Sequence, residues 1–160
     1  MKIRSFISLE LPLSLKHELY EQSKFIAGND KRQKIRWLLP ENYHLTLIFL
    51  GDVDTARLSG LQFALESKLA STKAIPCKIS EITPFPFSRS AKIIAALLER
   101  TVELLKLQSD VANCVRQFGI FPENRRFVPH VTLGRLKPRA GKTVEFQARN
   151  ILLVDTAETV

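Results

Sequence analysis

Two cysteines, Cys77 and Cys114, are all that 160 residues contain. They are too few and too far apart for a zinc ribbon or a redox pair, so both are expected as buried, reduced thiols behaving like small hydrophobes. Long apolar runs are missing too. The longest, 93–98 and 151–154, are strand-sized and fall far short of the roughly 20 residues that span a bilayer, so no membrane span is expected. The first seven residues alternate charge and apolarity, and no apolar stretch or small-residue cleavage site follows, which makes a cytoplasmic protein the expectation. No Gly-x-x-x-x-Gly-Lys run offers an apparatus for ATP-dependent ligation, and no Gly/Ser linker or low-complexity segment interrupts the chain.

What the chain does have is the composition of one soluble globular domain, 45% hydrophobic and 25% charged. Its length suffices to bury a core without disulfides or metal and leaves little room for a second one, so 1–160 is expected to be a single domain. Lys and Arg outnumber Asp and Glu by 24 to 16, a formal charge of +8. Such a surface gains by releasing counterions from a phosphate backbone, which favours polyanionic partners.

Periodicity organises the chain. Residues 2–11 alternate Ile3, Ser5, Ile7 and Leu9 against Arg4, Phe6, Ser8 and Glu10 and stop at Pro12, which reads as a strand. A helix is expected over 12–26, with Ser14 as cap and Gly28-Asn29 as stop, followed by extended segments at 35–39 and 44–50, the latter closed by Gly51-Asp52. A second helix is expected over 55–70, a strand over 75–82, a loop over 83–90, a strand over 92–98, and a third helix over 101–118. Strands at 128–136 and near 150–155 complete an α+β pattern, with 138–143 as loop.

One short repeat stands out. Pro40-Glu41-Asn42-Tyr43-His44-Leu45-Thr46-Leu47 and Pro129-His130-Val131-Thr132-Leu133 both contain His, aliphatic, Thr, Leu. Nine of the 160 residues are Thr. Thr two places after a given His is thus expected about 6% of the time, and after two of only three histidines in about 1% of such sequences. In a strand, His and Thr of each copy share one face while Leu45, Leu47, Val131 and Leu133 point the other way. Two such strands side by side supply two imidazoles and two hydroxyls to one phosphate-sized group. That set suits phosphodiester cleavage: a neutral imidazole takes a proton from water, an imidazolium protonates the departing oxygen, and hydroxyls hold the non-bridging oxygens. Histidine fits both roles because its ordinary pKa, near 6.5, keeps both forms accessible near neutrality. A metal site is not expected, since neither copy has a third His, or an Asp or Glu, at ligand spacing. His17 is expected on a helix, facing solvent.

The segments from His44 to Gly51 and from Phe127 to Arg135 resemble the twin signatures of the 2H phosphoesterases, specifically the RNA 2′,3′-cyclic phosphodiesterases once described as 2′-5′ RNA ligases. Arg4-Ser5-Phe6-Ile7, Arg36-Trp37 and Gly51 extend the resemblance over most of the chain. It implies two pseudo-symmetric α+β lobes of antiparallel sheet with outer helices, and one motif from each facing a central basic cleft. It also implies hydrolysis of an RNA-terminal 2′,3′-cyclic phosphate to a 2′-phosphate, without metal or cofactor, with weak reversible 2′-5′ ligation as a corollary. Under it, His44 is the general acid, His130 the general base, Thr46 and Thr132 the phosphate ligands, and Arg135 a phosphate or RNA contact. RNA ends with cyclic phosphates, tRNA fragments included, or small cyclic nucleotides are the implied partners of a monomer. Relatives continue into another strand where this chain ends at Val160, so a shortened lobe edge is expected.

Strict alternation puts Arg135, three past Thr132, on the wrong face unless the strand bulges near Gly134. Arg89, Arg125, Arg126 and Lys137 would track an RNA backbone. Tyr43, Trp37, Phe49 and Phe85 are candidates for stacking on a terminal base, with Trp37 and Phe49 better read as core. Two other functions compete: a non-catalytic RNA- or nucleotide-binding module, and a phosphodiesterase for 2′-5′ oligonucleotides or another small cyclic nucleotide.

Overall fold

The computed structural model describes residues 1–87, 91–122 and 125–137. In chain order these form β1 (Lys2–Glu10), α1 (Leu13–Asn29), β2 (Ile35–Trp37), a 3-10 turn (Pro40–Asn42), β3 (His44–Asp54) and α2 (Thr55–Leu69). They continue as β4 (Ile79–Phe85), β5 (Ile93–Leu98), α3 (Val102–Gln117) and β6 (His130–Leu136). The expected strand near 150–155, the loop 138–143 and Arg89 lie outside the described residues. No helix among the described residues is long and apolar enough to cross a membrane.

Helix starts follow local chemistry. The Thr101 side chain accepts from the Leu104 N–H at 3.2 Å, and the Asp54 carboxylate accepts from the Ala56 N–H at 3.1 Å, each satisfying a donor that the helix itself leaves unpaired. The first helix differs from expectation. It begins directly after Pro12, whose carbonyl accepts from the Lys16 N–H at 3.0 Å, so Ser14 lies inside the first turn rather than at the N-cap; Gly28 and Asn29 remain helical, and Asp30 ends it.

Among the described residues, six strands make one antiparallel sheet in the order β1-β3-β6-β5-β4, with β2 beside the far end of β6. Two halves meet where β3 touches β6, through the single pair Leu45 and Val131. With three helices, this is the α+β, antiparallel architecture expected. Two strand boundaries correct the sequence reading. Gly51-Asp52 does not close β3, which runs on to Asp54; Gly51 has φ of +71° and sits where the register with β1 slips, so the glycine marks a bulge. Residues 83–85 are not loop but the end of β4, where Pro84 is tolerated because β4 is an edge strand.

The helices bury Leu15 and Leu19 (α1), Leu61 (α2), and Leu104, Val111 and Val115 (α3) in one core with Leu45, Leu47, Val131 and Leu133 of the central strands. Helices therefore cover the face to which the aliphatic positions of the repeat point, and the opposite face of β3 and β6 is left for polar chemistry. Cys77 and Cys114 are buried as expected, and burial pushes the Cys77 thiol upward. His17 is exposed on α1, 3.8 Å from Glu21.

Candidate active site

The meeting point of the two halves sets the site. Leu45 and Val131 pair across β3 and β6 and are at most 1% exposed. Antiparallel pairing about that point places His44 beside Thr132 and Thr46 beside His130, with opposed Cα atoms about 5 Å apart. The two histidines are then diagonal neighbours, roughly 7–8 Å between Cα atoms. All four side chains are half-buried, in keeping with a shared open face. The structure thus brings together His44, Thr46, His130 and Thr132.

Each imidazole is held in the same way. His44 Nδ1 lies 2.8 Å from the Asn42 carbonyl oxygen, and His130 Nδ1 lies 2.8 Å from the Val128 carbonyl oxygen, in both cases two residues back. A carbonyl only accepts, so Nδ1 carries the hydrogen in both rings. The neutral ring then has its lone pair on Nε2, and the protonated ring has a second N–H there. Either ring can take or give a proton at Nε2 while Nδ1 keeps it anchored. Phe6 of β1 stacks on His44 with centroids 5.0 Å apart, and Phe85 of β4 packs on His130 at 4.8 Å. Sequence reasoning does not single out Phe6, although an aromatic among Arg4, Ser8 and Glu10 on the polar face of its strand is the available signal. Beside His44 in the register lies Glu10, whose carboxylate is engaged by the buried Lys16.

Arg135 reaches the same face through a bulge. On β5, Ala95 pairs with Thr132 and the adjacent Ile94 pairs with Gly134, so Leu133 has no partner and the alternation of β6 shifts by one. Arg135 then pairs with Ile93, which shares a face with Ala95 and Leu97, the partners of Thr132 and His130. The first motif repeats the device: Ser8 pairs with Thr46 and Ile7 with Ile48, leaving Leu47 without a partner. Phe49 thereby occupies in β3 the place of Arg135 in β6. It is 64% exposed, paired with Phe6 at 6.1 Å between centroids, and so is not the core residue expected. Tyr43 corrects the reading in the other direction. It is fully buried, its hydroxyl 3.0 Å from Ser23 Oγ, and cannot stack on a base; burial raises its phenol pKa. Trp37 packs against the core as expected. Arg125 and Arg126 are exposed just before the second motif, and Lys137 just after it. Among the described residues no group of three or more His, Cys, Asp or Glu is placed to hold a metal.

Both motifs lie within the stretch that is similar to known proteins. The family model for LigT-like phosphoesterases matches residues 9–94 and 98–151. The chain belongs to this family. Among curated relatives of this LigT-like phosphoesterase, the RNA 2′,3′-cyclic phosphodiesterase of Methanocaldococcus jannaschii is 31% identical over 138 residues, 84% of this chain and 72% of the relative. That of Thermotoga maritima is 29% identical over 136 residues, 84% of this chain and 71% of the relative. Solved structures agree with the architecture. A Thermus thermophilus protein, TM-score 0.73 at 24% identity, covers 89% of this chain and 79% of its own. Escherichia coli LigT complexed with 3′-AMP, TM-score 0.64 at 21% identity, covers 91% and 81%.

Proposed function

We propose that this phosphoesterase hydrolyses the 2′,3′-cyclic phosphate at RNA ends, tRNA fragments included, to a 2′-phosphomonoester by two-histidine acid–base catalysis without a metal. The observation that carries the reading is the pair of imidazoles, each fixed through Nδ1 and each offering Nε2 from facing strands. The names of the two relatives above, both RNA 2′,3′-cyclic phosphodiesterases, supply the substrate class.

In the proposed reaction, His130 Nε2 takes a proton from water as its oxygen bonds to phosphorus. The bond from phosphorus to the 3′-oxygen breaks on the opposite side, and His44 Nε2 delivers a proton to that oxygen. The products are a 2′-phosphate and a free 3′-hydroxyl. Thr46 and Thr132 donate to the non-bridging oxygens, where charge grows in the transition state, and Arg135 supplies a cation to the RNA. With a 5′-hydroxyl in place of water as the nucleophile, the same base and acid open the ring to a 2′-5′ phosphodiester and a free 3′-hydroxyl, so weak 2′-5′ ligation follows from the mechanism. Both histidines come from one chain, so a monomer made of the single domain 1–160 suffices.

The test is incubation with a cyclic-phosphate mononucleotide in excess EDTA, identifying the monoester formed. A 2′-phosphate is the expected product. A 3′-phosphate would overturn the assignment of the leaving oxygen, and no product with binding retained would replace the enzyme by a binding module.

A further inference from the structure

On the face that carries His130 and Thr132, two arginines lie directly opposite each other. Arg36 of β2 pairs in register with Arg135 of β6. Like charges at opposed positions of an antiparallel pair destabilise a sheet. Neither guanidinium forms an ion pair among the described residues. The position also exceeds the span of one phosphate. Arg135 lies three residues beyond Thr132 and five beyond His130, about 10 and 16 Å along an ideal strand before the bulge shortens it.

Beside this pair, at the open edge of β2, is a cavity of about 320 Å³ lined by Asp30, Gln33, Arg36, Trp37 and Lys137 among others. Arg36 and Lys137 bring two cations to its rim, whereas Trp37, paired with Gly134, lies over the core face of the sheet. The one carboxylate in the lining is already used, since Asp30 Oδ2 accepts from the Ile35 N–H at 3.0 Å. The Asp30 carbonyl accepts from the Gln33 N–H at 2.9 Å, and Gln33 is held at φ of +46°, a left-handed conformation that costs free energy in a non-glycine residue.

We propose that Arg36 and Arg135, with Lys137 beside Arg36, form an upstream RNA subsite that takes the phosphate preceding the terminal nucleotide. The inference rests on the reading of the histidine site as one that acts on RNA ends, and it makes the substrate an oligonucleotide rather than a mononucleotide. Arg135 serves both places as the link, while Arg36 and Lys137 belong to the upstream subsite alone.

The test compares a cyclic-phosphate mononucleotide with a short oligoribonucleotide carrying the same cyclic terminus, in the wild-type protein and in Arg36→Gln/Lys137→Gln. The wild type is expected to show a KM for the oligonucleotide about tenfold lower, and the double variant to lose that preference. In parallel, anisotropy of a fluorescein-labelled 3′-phosphorylated oligoribonucleotide is followed between about 50 and 200 mM salt. Two lost phosphate contacts make the log–log slope shallower by about 1.4, and Arg36→Lys retains the wild-type slope. Equal KM values for both substrates in the wild type, or an unchanged slope in a double variant that melts like the wild type, overturn the subsite. A wild type that turns over neither substrate overturns the reaction instead, and the salt slope still decides the subsite.

Discussion

Replacing His130 by Asn separates the chemistry of the ring from its place in the sheet. The amide nitrogen of Asn can occupy the position of Nδ1 and donate to the Val128 carbonyl, which His130 Nδ1 meets at 2.8 Å, but Asn has no Nε2 and exchanges no proton. The fold loses mainly the packing of the imidazole on Phe85, 4.8 Å between centroids, about 1 kcal/mol. In a protein of this size, that lowers Tm by roughly 2–4 °C. The rate loses far more. A positioned general acid or base contributes about 10²–10⁴, equivalent to roughly 3–5 kcal/mol of barrier. Single-turnover cleavage of a cyclic mononucleotide in EDTA reads the rate, thermal unfolding reads the fold, and titration with the 2′-phosphate product reads the site. His44→Asn should behave alike. The double variant should fall no more than about tenfold below the worse single one, because acid and base act as a unit. A His130→Asn protein that melts near the wild type and cleaves within tenfold of it would refute the two-histidine reading.

Other consequences of the structure can be measured separately. Phe85→Leu loosens His130 and should lower kcat by about 3- to 10-fold with little change in KM, read from initial rates. Burial raises the Tyr43 phenol above its ordinary 10.0, so the native state holds its proton where the unfolded chain releases it. Its contribution to stability is therefore full below about pH 10 and lost as pH rises through the raised value, and unfolding of Tyr43→Phe followed from pH 9 to 11 should show a shallower alkaline decline. A Cβ at Gly134 would come 2.6 Å from Ile35 Cγ2 and 3.2 Å from Trp37 Cε3, so Gly134→Ala should cost about 1–3 kcal/mol in denaturant titration as β2 is pushed off β6.

The repeated motif is legible in the sequence because its information is local. Two residues on a strand always share a face, so the parity of His44 with Thr46 and of His130 with Thr132 needs no tertiary knowledge. The apolar positions that form the core are legible for the same reason, Leu104, Val111 and Val115 on a helix, Leu45 and Val131 on strands. What strand pairing decides is hidden. Leu47 and Leu133 lack partners in the register because of how β1 and β5 lie against the motif strands; Gly134 marks the second slip in the sequence, and no residue from 44 to 50 marks the first. Phe49 consequently reads as core in the sequence, and Arg135 reaches the site face only through the bulge that its spacing from Thr132 requires. Pro84 reads as loop because its edge position is a property of the whole sheet. Tyr43, adjacent to a functional residue in sequence, looks like a ligand contact, but as the odd neighbour of His44 it points into the core, where Ser23 satisfies its hydroxyl.

The matched anchoring of the two rings has a consequence for what happens between reactions. Under the proposed chemistry, each cleavage moves one proton onto His130 and one off His44, so the protein that releases product is the mirror image of the one that bound substrate. Neither ring has to turn for the next round, because both keep Nδ1 on their own carbonyl and differ only at the outward nitrogen. Recovery then reduces to passing a single proton between two outward nitrogens through water or buffer. Turnover at saturating substrate should accelerate with buffer concentration wherever that exchange is slower than cleavage.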